Sequence, residues 1–201
     1  GYVLFYLLFI VFLAQRFKWR FAIYGLLVLL ILNFLLISVP GPYQQQADQT
    51  VVNTLKYFKN ANTESSIGQR LEFMINSYQL LTERPVFGHG TGSFKSQYAA
   101  LAEAKGLKFK TVNPHNEYLM TGVQTGLIGI GFLLYFIFCQ FKYSFRLSPL
   151  NKNLALGLAA ITAVGCMGNS ILLDHTPGVF VIYFNAVFFS ALNYPEKTKD
   201  A

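Results

Sequence analysis

Residues 21–39 read FAIYGLLVLLILNFLLISV, a run with no charge and only two clearly polar side chains, Asn33 and Ser38. About 20 apolar residues are enough for a helix to cross a bilayer, so this run predicts a transmembrane helix. Four further apolar stretches bring the predicted spans to five: residues 1–14, which are truncated at the start of the chain, 118–140, 154–173 and 179–194. Because the chain begins at Gly1 inside an apolar block, we expect it to be a fragment whose N-terminal part is missing.

The composition agrees with an all-α polytopic membrane protein. Of 201 residues, 53% are hydrophobic and 12% are charged, about half the charged fraction of an average soluble domain. Cys139 and Cys166 both fall in apolar blocks, so we expect neither a disulfide nor a metal cluster.

Short basic connections set the predicted orientation. Residues 15–20 and 141–153 each carry three basic residues and no acidic one, which is typical of cytoplasmic loops. Residues 40–117 carry eight basic and six acidic residues, the mixed composition of a translocated domain. The predicted domains are two transmembrane helices in 1–39, a periplasmic loop in 40–117, and three transmembrane helices with a short cytoplasmic tail in 118–201. Most of the +7 net charge reflects this topology, and nucleic-acid binding is not predicted.

The long loop has the pattern of folded helices. Apolar residues at helical spacing predict an amphipathic helix that begins at Ser66 and ends before Pro85: Ile67, Leu71, Met74, Ile75, Tyr78 and Leu81. Arg70 lies on its first turns and Arg84 at its end. A long structured insertion of this kind usually carries function.

A glycine-rich turn, PVFGHGTGSF at residues 85–94, follows this helix and leads into a second one from near Ser93 to Gly106. Its backbone N–H groups could hold a phosphate oxygen, whereas a plain tight turn explains the glycines as well. His89, inside the turn, is a candidate substrate contact.

The segment NPHNEY, residues 113–118, enters the third span. Asn113 suits an N-cap and Pro114 the first helical position, which would place His115 and Asn116 in the first turn. The helix dipole there favours a neutral histidine beside an anion, a setting that suits a base. Glycines further along this span, such as Gly126, predict close helix packing.

Arg70, the glycine turn and the HNEYL sequence at His115, in this order, resemble the O-antigen ligase and polymerase family of bacterial membrane glycosyltransferases. The resemblance covers residues 65–138. It implies a metal-independent enzyme, without nucleotide sugar or other cofactor, that moves a glycan from an undecaprenyl-pyrophosphate carrier to an acceptor hydroxyl at the periplasmic face. A further arginine used by the family would lie in the part that the fragment lacks.

The resemblance also implies roles for individual residues. His115 and Arg70 are the predicted catalytic residues, with His115 either a base or a donor to the diphosphate. A looser match gives Asp174 a role in the next outer loop. The predicted substrate-binding residues are Arg84, Asn116, His89 and Asp174.

Several functions of this kind stay open. Lipid A core as acceptor would make the protein an O-antigen ligase of lipopolysaccharide biosynthesis in the bacterial inner membrane. Another repeat unit would make it a polymerase, and a pilin Ser or Thr a protein glycosyltransferase. A transporter or channel subunit is less well supported, because ionisable residues are almost absent from the middle of the predicted spans.

Overall fold

The computed structural model of the chain describes Tyr6, Phe9, residues 19–60, residues 63–190 and Leu192. These residues form helices and turns and no strand, which confirms the all-α prediction. The seven helices of this part are α1 (Trp19–Ser38), α2 (Pro42–Asn60), α3 (Ser66–Glu83), α4 (Phe94–Ala104), α5 (Glu117–Ser144), α6 (Pro149–Gly168) and α7 (His175–Ser190).

Two described helices, α5 and α6, are long and apolar enough to cross a membrane. A third crossing results if α1 and α2 are one broken span, because residues 23–38 and α2 meet at 90° around Gly41. The predicted count of five spans is not confirmed. The block at residues 1–14 lies outside the described residues apart from Tyr6 and Phe9, and α7 has only 16 residues. The chain is a helical membrane protein.

The predicted span at residues 154–173 begins and ends at other residues in the structure. The helix predicted over residues 154–173 is α6, which starts at Pro149 and stops at Gly168. Pro149 suits a first helical position, and Asn169 leaves the helix with an extended backbone. The polar residues after Gly168 therefore belong to a connection between α6 and α7.

Small side chains allow α6 to pack closely against its neighbours. Ala155, Ala159 and Cys166 are buried along it, and the Tyr118 hydroxyl of α5 donates a 2.8 Å hydrogen bond to the Ala163 carbonyl. Helix α7 joins α5 through Gln140 Nε2, which donates to Asn185 Oδ1 at 2.8 Å.

The two helices predicted in the long loop are confirmed. Helix α3 begins after Ser65, whose side chain accepts the Gly68 N–H at 3.0 Å, and α4 is followed by Gly106 with φ of 62°. Of the predicted apolar residues of α3, Leu81 is buried, whereas Ile75 and Tyr78 are exposed. The shared core of α3, α4 and the start of α5 consists of Phe73, Leu80, Leu81, Phe94, Tyr98, Ala102, Met120 and Val123.

Gly126 breaks α5, with φ of 68° and ψ of −161°. The glycine turn lies in the break and replaces the lost helical hydrogen bonds. The carbonyls of Pro85 and Val86 accept the N–H groups of Leu127 and Ile128 at 2.7 and 3.4 Å. A Cβ on Gly126 would lie 2.2 Å from the Val86 oxygen, so the close approach is between a helix and a loop, not the helix packing that the sequence predicts.

Candidate active site

Three helix ends meet in one polar cluster: the start of α5, the end of α6 and the start of α7. Ser170 Oγ donates to Asn113 Oδ1 at 2.8 Å, and Asn116 Nδ2 donates to the Met167 carbonyl at 3.1 Å. The buried carboxylate of Glu117 accepts the N–H groups of residues 172 and 173 at 2.8 and 3.3 Å. These bonds hold the connection between α6 and α7, residues 169–174, against the segment that carries His115.

His115 stands just outside α5, which corrects the predicted helix start. The N-cap is Asn116, whose side chain accepts the Leu119 N–H at 3.0 Å. Asn113 instead accepts the His115 N–H at 2.8 Å, and His115 has a φ of 54°. An asparagine side chain that bonds the backbone two residues later favours a turn over a helix. Because this N–H is already paired, His115 does not lie in the free first helical turn that the sequence predicts.

The His115 ring joins a chain of hydrogen bonds that ends at Asp174. Nδ1 of His115 lies 3.0 Å from Oδ1 of Asn169, and Nδ2 of Asn169 donates to Oδ2 of Asp174 at 2.7 Å. A carboxylate only accepts, so the Asn169 amide must turn its NH₂ toward Asp174 and its oxygen toward His115. This orientation favours the proton on Nδ1, and in the neutral ring the lone pair is then on Nε2, where it can accept a proton.

Helix α3 supplies the surface on which the imidazole rests. The ring of Phe73 stacks on His115 with centroids 6.4 Å apart and an interplanar angle of 23°. Tyr98 meets the same phenyl ring edge-on at 5.9 Å. Burial raises the pKa of Tyr98 to about 12, so its hydroxyl stays neutral behind the stack.

Arg70 precedes Phe73 by three residues and so lies one helical turn away on the same side of α3. Its side chain is exposed and makes no hydrogen bond or ion pair with another described residue. A guanidinium in this position is open to an anionic ligand and can bind two oxygens of a phosphate at once.

The structure leaves Arg84 and His89 apart from this cluster. Nε2 of His89 lies 2.8 Å from the Leu80 carbonyl, about 10 Å along α3 from Phe73. The N–H groups of His89 and Gly90 donate to carbonyls of α5, both at 2.8 Å. The geometry agrees with a tight turn, because these N–H groups are not open to a phosphate.

The site thus contains three of the predicted residues, His115, Asn116 and Asp174, with Arg70 one turn away. Sequence reasoning gave no individual role to Asn169 or Phe73. Asn169 had a visible signal, because it is an isolated polar residue at the end of an apolar span, near Asp174. Within the described part of the chain, no three His, Cys, Asp or Glu side chains are grouped so that they could hold a metal ion.

Comparison with known proteins gives the family. A family model described as O-antigen ligase matches residues 1–134 of the 201. The chain belongs to the O-antigen ligase family. Arg70 and His115 lie inside the matched segment of the O-antigen ligase family model, whereas Asn169 and Asp174 lie beyond it.

Two curated relatives show the same similarity. The chain is 29% identical to the O-antigen ligase of Escherichia coli K12 over 147 residues, which cover 71% of this chain and 33% of that protein. It is 25% identical over 142 residues to an uncharacterized protein of Haemophilus influenzae, covering 69% of this chain and 33% of that protein. The matches span about a third of the length of both of these relatives.

Proposed function

We propose that the protein transfers a glycan from an undecaprenyl-pyrophosphate carrier to an acceptor hydroxyl, with lipid A core as the acceptor, and so acts as an O-antigen ligase. Membership of the O-antigen ligase family supports the reaction class. The observation that carries the assignment to a site is the chain from His115 through Asn169 to Asp174, which leaves Nε2 of His115 as a proton acceptor.

In the proposed reaction, Nε2 of His115 accepts the proton of the acceptor hydroxyl as that oxygen forms a bond to the anomeric carbon of the glycan. The bond between this carbon and the diphosphate oxygen breaks, and its electron pair leaves on the diphosphate. Arg70 binds the diphosphate and stabilises the charge that develops on the leaving oxygen. No step needs a metal or a nucleotide.

The proposed location is the periplasmic face of the inner membrane. His115 lies beside the first residue of α5, and Lys142, Arg146 and Lys152 lie at or near its other end, where α6 begins. The 18 residues of α5 after the break at Gly126 rise about 27 Å, close to the thickness of a bilayer core, which supports placing the two ends on opposite sides of the membrane. Short basic connections favour the cytoplasm, which supports a periplasmic site and a catalytic role for residues 40–117.

The other predicted residues take different roles in this proposal. Asp174 acts on His115 through Asn169, and Asn116 caps α5 beside the imidazole. Arg84 is 14 residues from Arg70, about 20 Å along α3. Substrate binding by Arg84 and His89 stays a prediction that the cluster around His115 does not support.

Complementation of a strain that lacks its own ligase tests the function. The intact gene, His115→Ala and the matched variant His175→Ala would be expressed at equal levels by blot, and lipopolysaccharide gels read for long-chain ladders. His175 is exposed at the start of α7, beside Asp174, and is not part of the proposed machinery.

We expect ladders from the intact gene and from His175→Ala, and none from His115→Ala, which should accumulate lipid-linked glycan. A normal ladder from His115→Ala would contradict the assigned base. The absence of a ladder even from the intact gene would exclude lipid A core as the acceptor, and a glycan repeat or a pilin would then be the substrate to assay.

A further inference from the structure

Asn169 lies between the two ionisable groups of the candidate site and touches both. Its Oδ1 lies 3.0 Å from Nδ1 of His115, and its Nδ2 lies 2.7 Å from Oδ2 of Asp174. His115 and Asp174 make no hydrogen bond or ion pair with each other. The residue is 54 positions from His115 in the sequence and outside the segment matched by the family.

We propose that Asn169 is a positioning residue that transmits the orientation set by the Asp174 carboxylate to His115, fixing the proton on Nδ1 and the lone pair on Nε2. The inference rests on the proposed function, because it concerns the base of that reaction. Asn169 would affect the reaction through His115, without touching the substrate.

The amide has only one acceptable orientation. If it were reversed, its oxygen would face the Asp174 carboxylate, and its NH₂ group would face the Nδ1–H of His115. Both contacts would then be repulsive, acceptor against acceptor and donor against donor. The carboxylate therefore selects the amide orientation, and the amide selects the tautomer of the imidazole.

The backbone holds the relay in place. The Asn169 N–H donates to the Gly165 carbonyl at 3.0 Å as α6 ends, and the Asp174 N–H donates to the Ser170 carbonyl at 3.0 Å. Ser170 is fully buried and bonded to Asn113. Little conformational freedom is left to lose when the acceptor arrives, as a preorganised base requires.

A neutral amide also differs from a carboxylate at the same position. A carboxylate placed on Nδ1 would favour the imidazolium directly, whereas Asp174 acts from the far side of Asn169, where its attraction is weaker. Charged and titratable groups on the elements around His115 include Arg70, Glu72, Tyr98, Glu117, Tyr118, Cys166, Asp174 and His175.

Nitrogen-15 NMR of the full-length protein in detergent tests the relay without reference to activity. The chain has three histidines, so the His115 signals are assigned by their loss in His115→Ala. We expect the Nδ1–H form in the wild type and a mixture of tautomers in Asn169→Leu and Asp174→Asn. Asn153→Leu, at the opposite end of α6, is the matched control and should keep the wild-type signals.

The pH dependence of glycan transfer gives a second, independent measurement. Asn169→Leu should lower the rate about 100-fold, the cost of a misplaced catalytic group. The double variant Asn169→Asp with Asp174→Asn, which exchanges the carboxylate and the amide, should remain active, with the acidic limb of its pH profile moved up by about one to three pH units.

An Nε2–H tautomer in the wild type would overturn the inference, as would an unchanged tautomer in Asn169→Leu or an unchanged pH profile in the double variant Asn169→Asp with Asp174→Asn. Size-exclusion profiles identify any variant that fails to fold, and the double variant, which keeps the size of both side chains, then decides. A protein with the expected tautomers that transfers no glycan would contradict the proposed function and leave the relay intact.

Discussion

Phe73 and His115 stack with their rings 6.4 Å apart, and this contact joins the helix of the long loop to the end of the membrane bundle. It places Arg70, one turn before Phe73, on the same side as the imidazole. A cation for the leaving group and a base for the acceptor are thereby brought to one region from segments 45 residues apart.

Arg70→Ala should reduce glycan transfer by about 100-fold or more, the loss typical of removing one group that stabilises transition-state charge. Arg70→Lys should recover part of it, because lysine keeps the charge but cannot bind two phosphate oxygens in a fork. The measurement is the rate of transfer with lipid-linked donor in vesicles. Lys95→Ala, which removes an exposed cation from α4, is the control, and equal losses in Lys95→Ala and Arg70→Ala would exclude a specific role for Arg70.

Gly126→Ala should destabilise the protein, because the added methyl group would meet the Val86 carbonyl at 2.2 Å in a backbone conformation that alanine rarely adopts. Gly131→Ala is the matched control, since its Cβ would meet no atom within 4 Å. Gly131→Ala should leave the melting temperature unchanged or raise it, as expected at an open helical position. Thermal unfolding in detergent measures both, and a Gly126→Ala variant as stable as the wild type would contradict the description of the break.

Glu117→Leu should lower the stability of the site. The buried carboxylate accepts two N–H groups of the connection between α6 and α7, and leaving each without a partner costs about 1–3 kcal/mol. Glu117→Gln keeps a side-chain oxygen at the same position, so it should lose much less stability than Glu117→Leu. If both variants melt at the same temperature, these hydrogen bonds do not hold the connection in place.

Glu72→Gln should stabilise the protein near neutral pH. Burial raises the pKa of Glu72, Lys105 offsets part of the effect, and the Oε2 atom is buried without a hydrogen-bond partner. With a folded-state pKa above that of the unfolded chain, this group stabilises the fold fully below the ordinary value of 4.5 and loses that contribution as the pH rises through the folded-state pKa.

The melting temperature of Glu72→Gln should therefore exceed that of the wild type at about pH 7, and the difference should disappear at about pH 4. Glu103→Gln removes an exposed carboxylate from α4 and should follow the wild type at both values. A constant difference between Glu72→Gln and the wild type across this range would show that ionisation of Glu72 does not affect folding.

Local sequence patterns were enough to predict α3 and α4, because apolar spacing, Pro85 and Gly106 all lie within or beside those helices. The start of α5 was not predictable in the same way. Asn113 and Asn116 are equally good caps by residue type. Asn113 Oδ1 accepts from the Ser170 hydroxyl, 57 residues away, as well as from the His115 N–H, and only the tertiary structure shows the first of these contacts.

The same limit applies to the break at Gly126 and to Asn169. A glycine inside an apolar helix reads as a packing position until the loop that fills the break is placed beside it. His115 and Arg70 were predicted from short motifs in a fixed order, whereas Asn169 acts between residues that only folding brings together. The roles of Gly126 and Asn169 are determined by residues distant in the sequence and not by local propensity.

The rate of glycan transfer by His115→Ala tests the account most directly. The full-length protein in vesicles would be given an undecaprenyl-pyrophosphate-linked glycan and lipid A core, with His175→Ala as the control. Loss of a general base predicts a rate lower by about 10²–10⁴-fold for His115→Ala and an unchanged rate for His175→Ala. Transfer by His115→Ala at the wild-type rate would contradict the account and remove His115 from the mechanism.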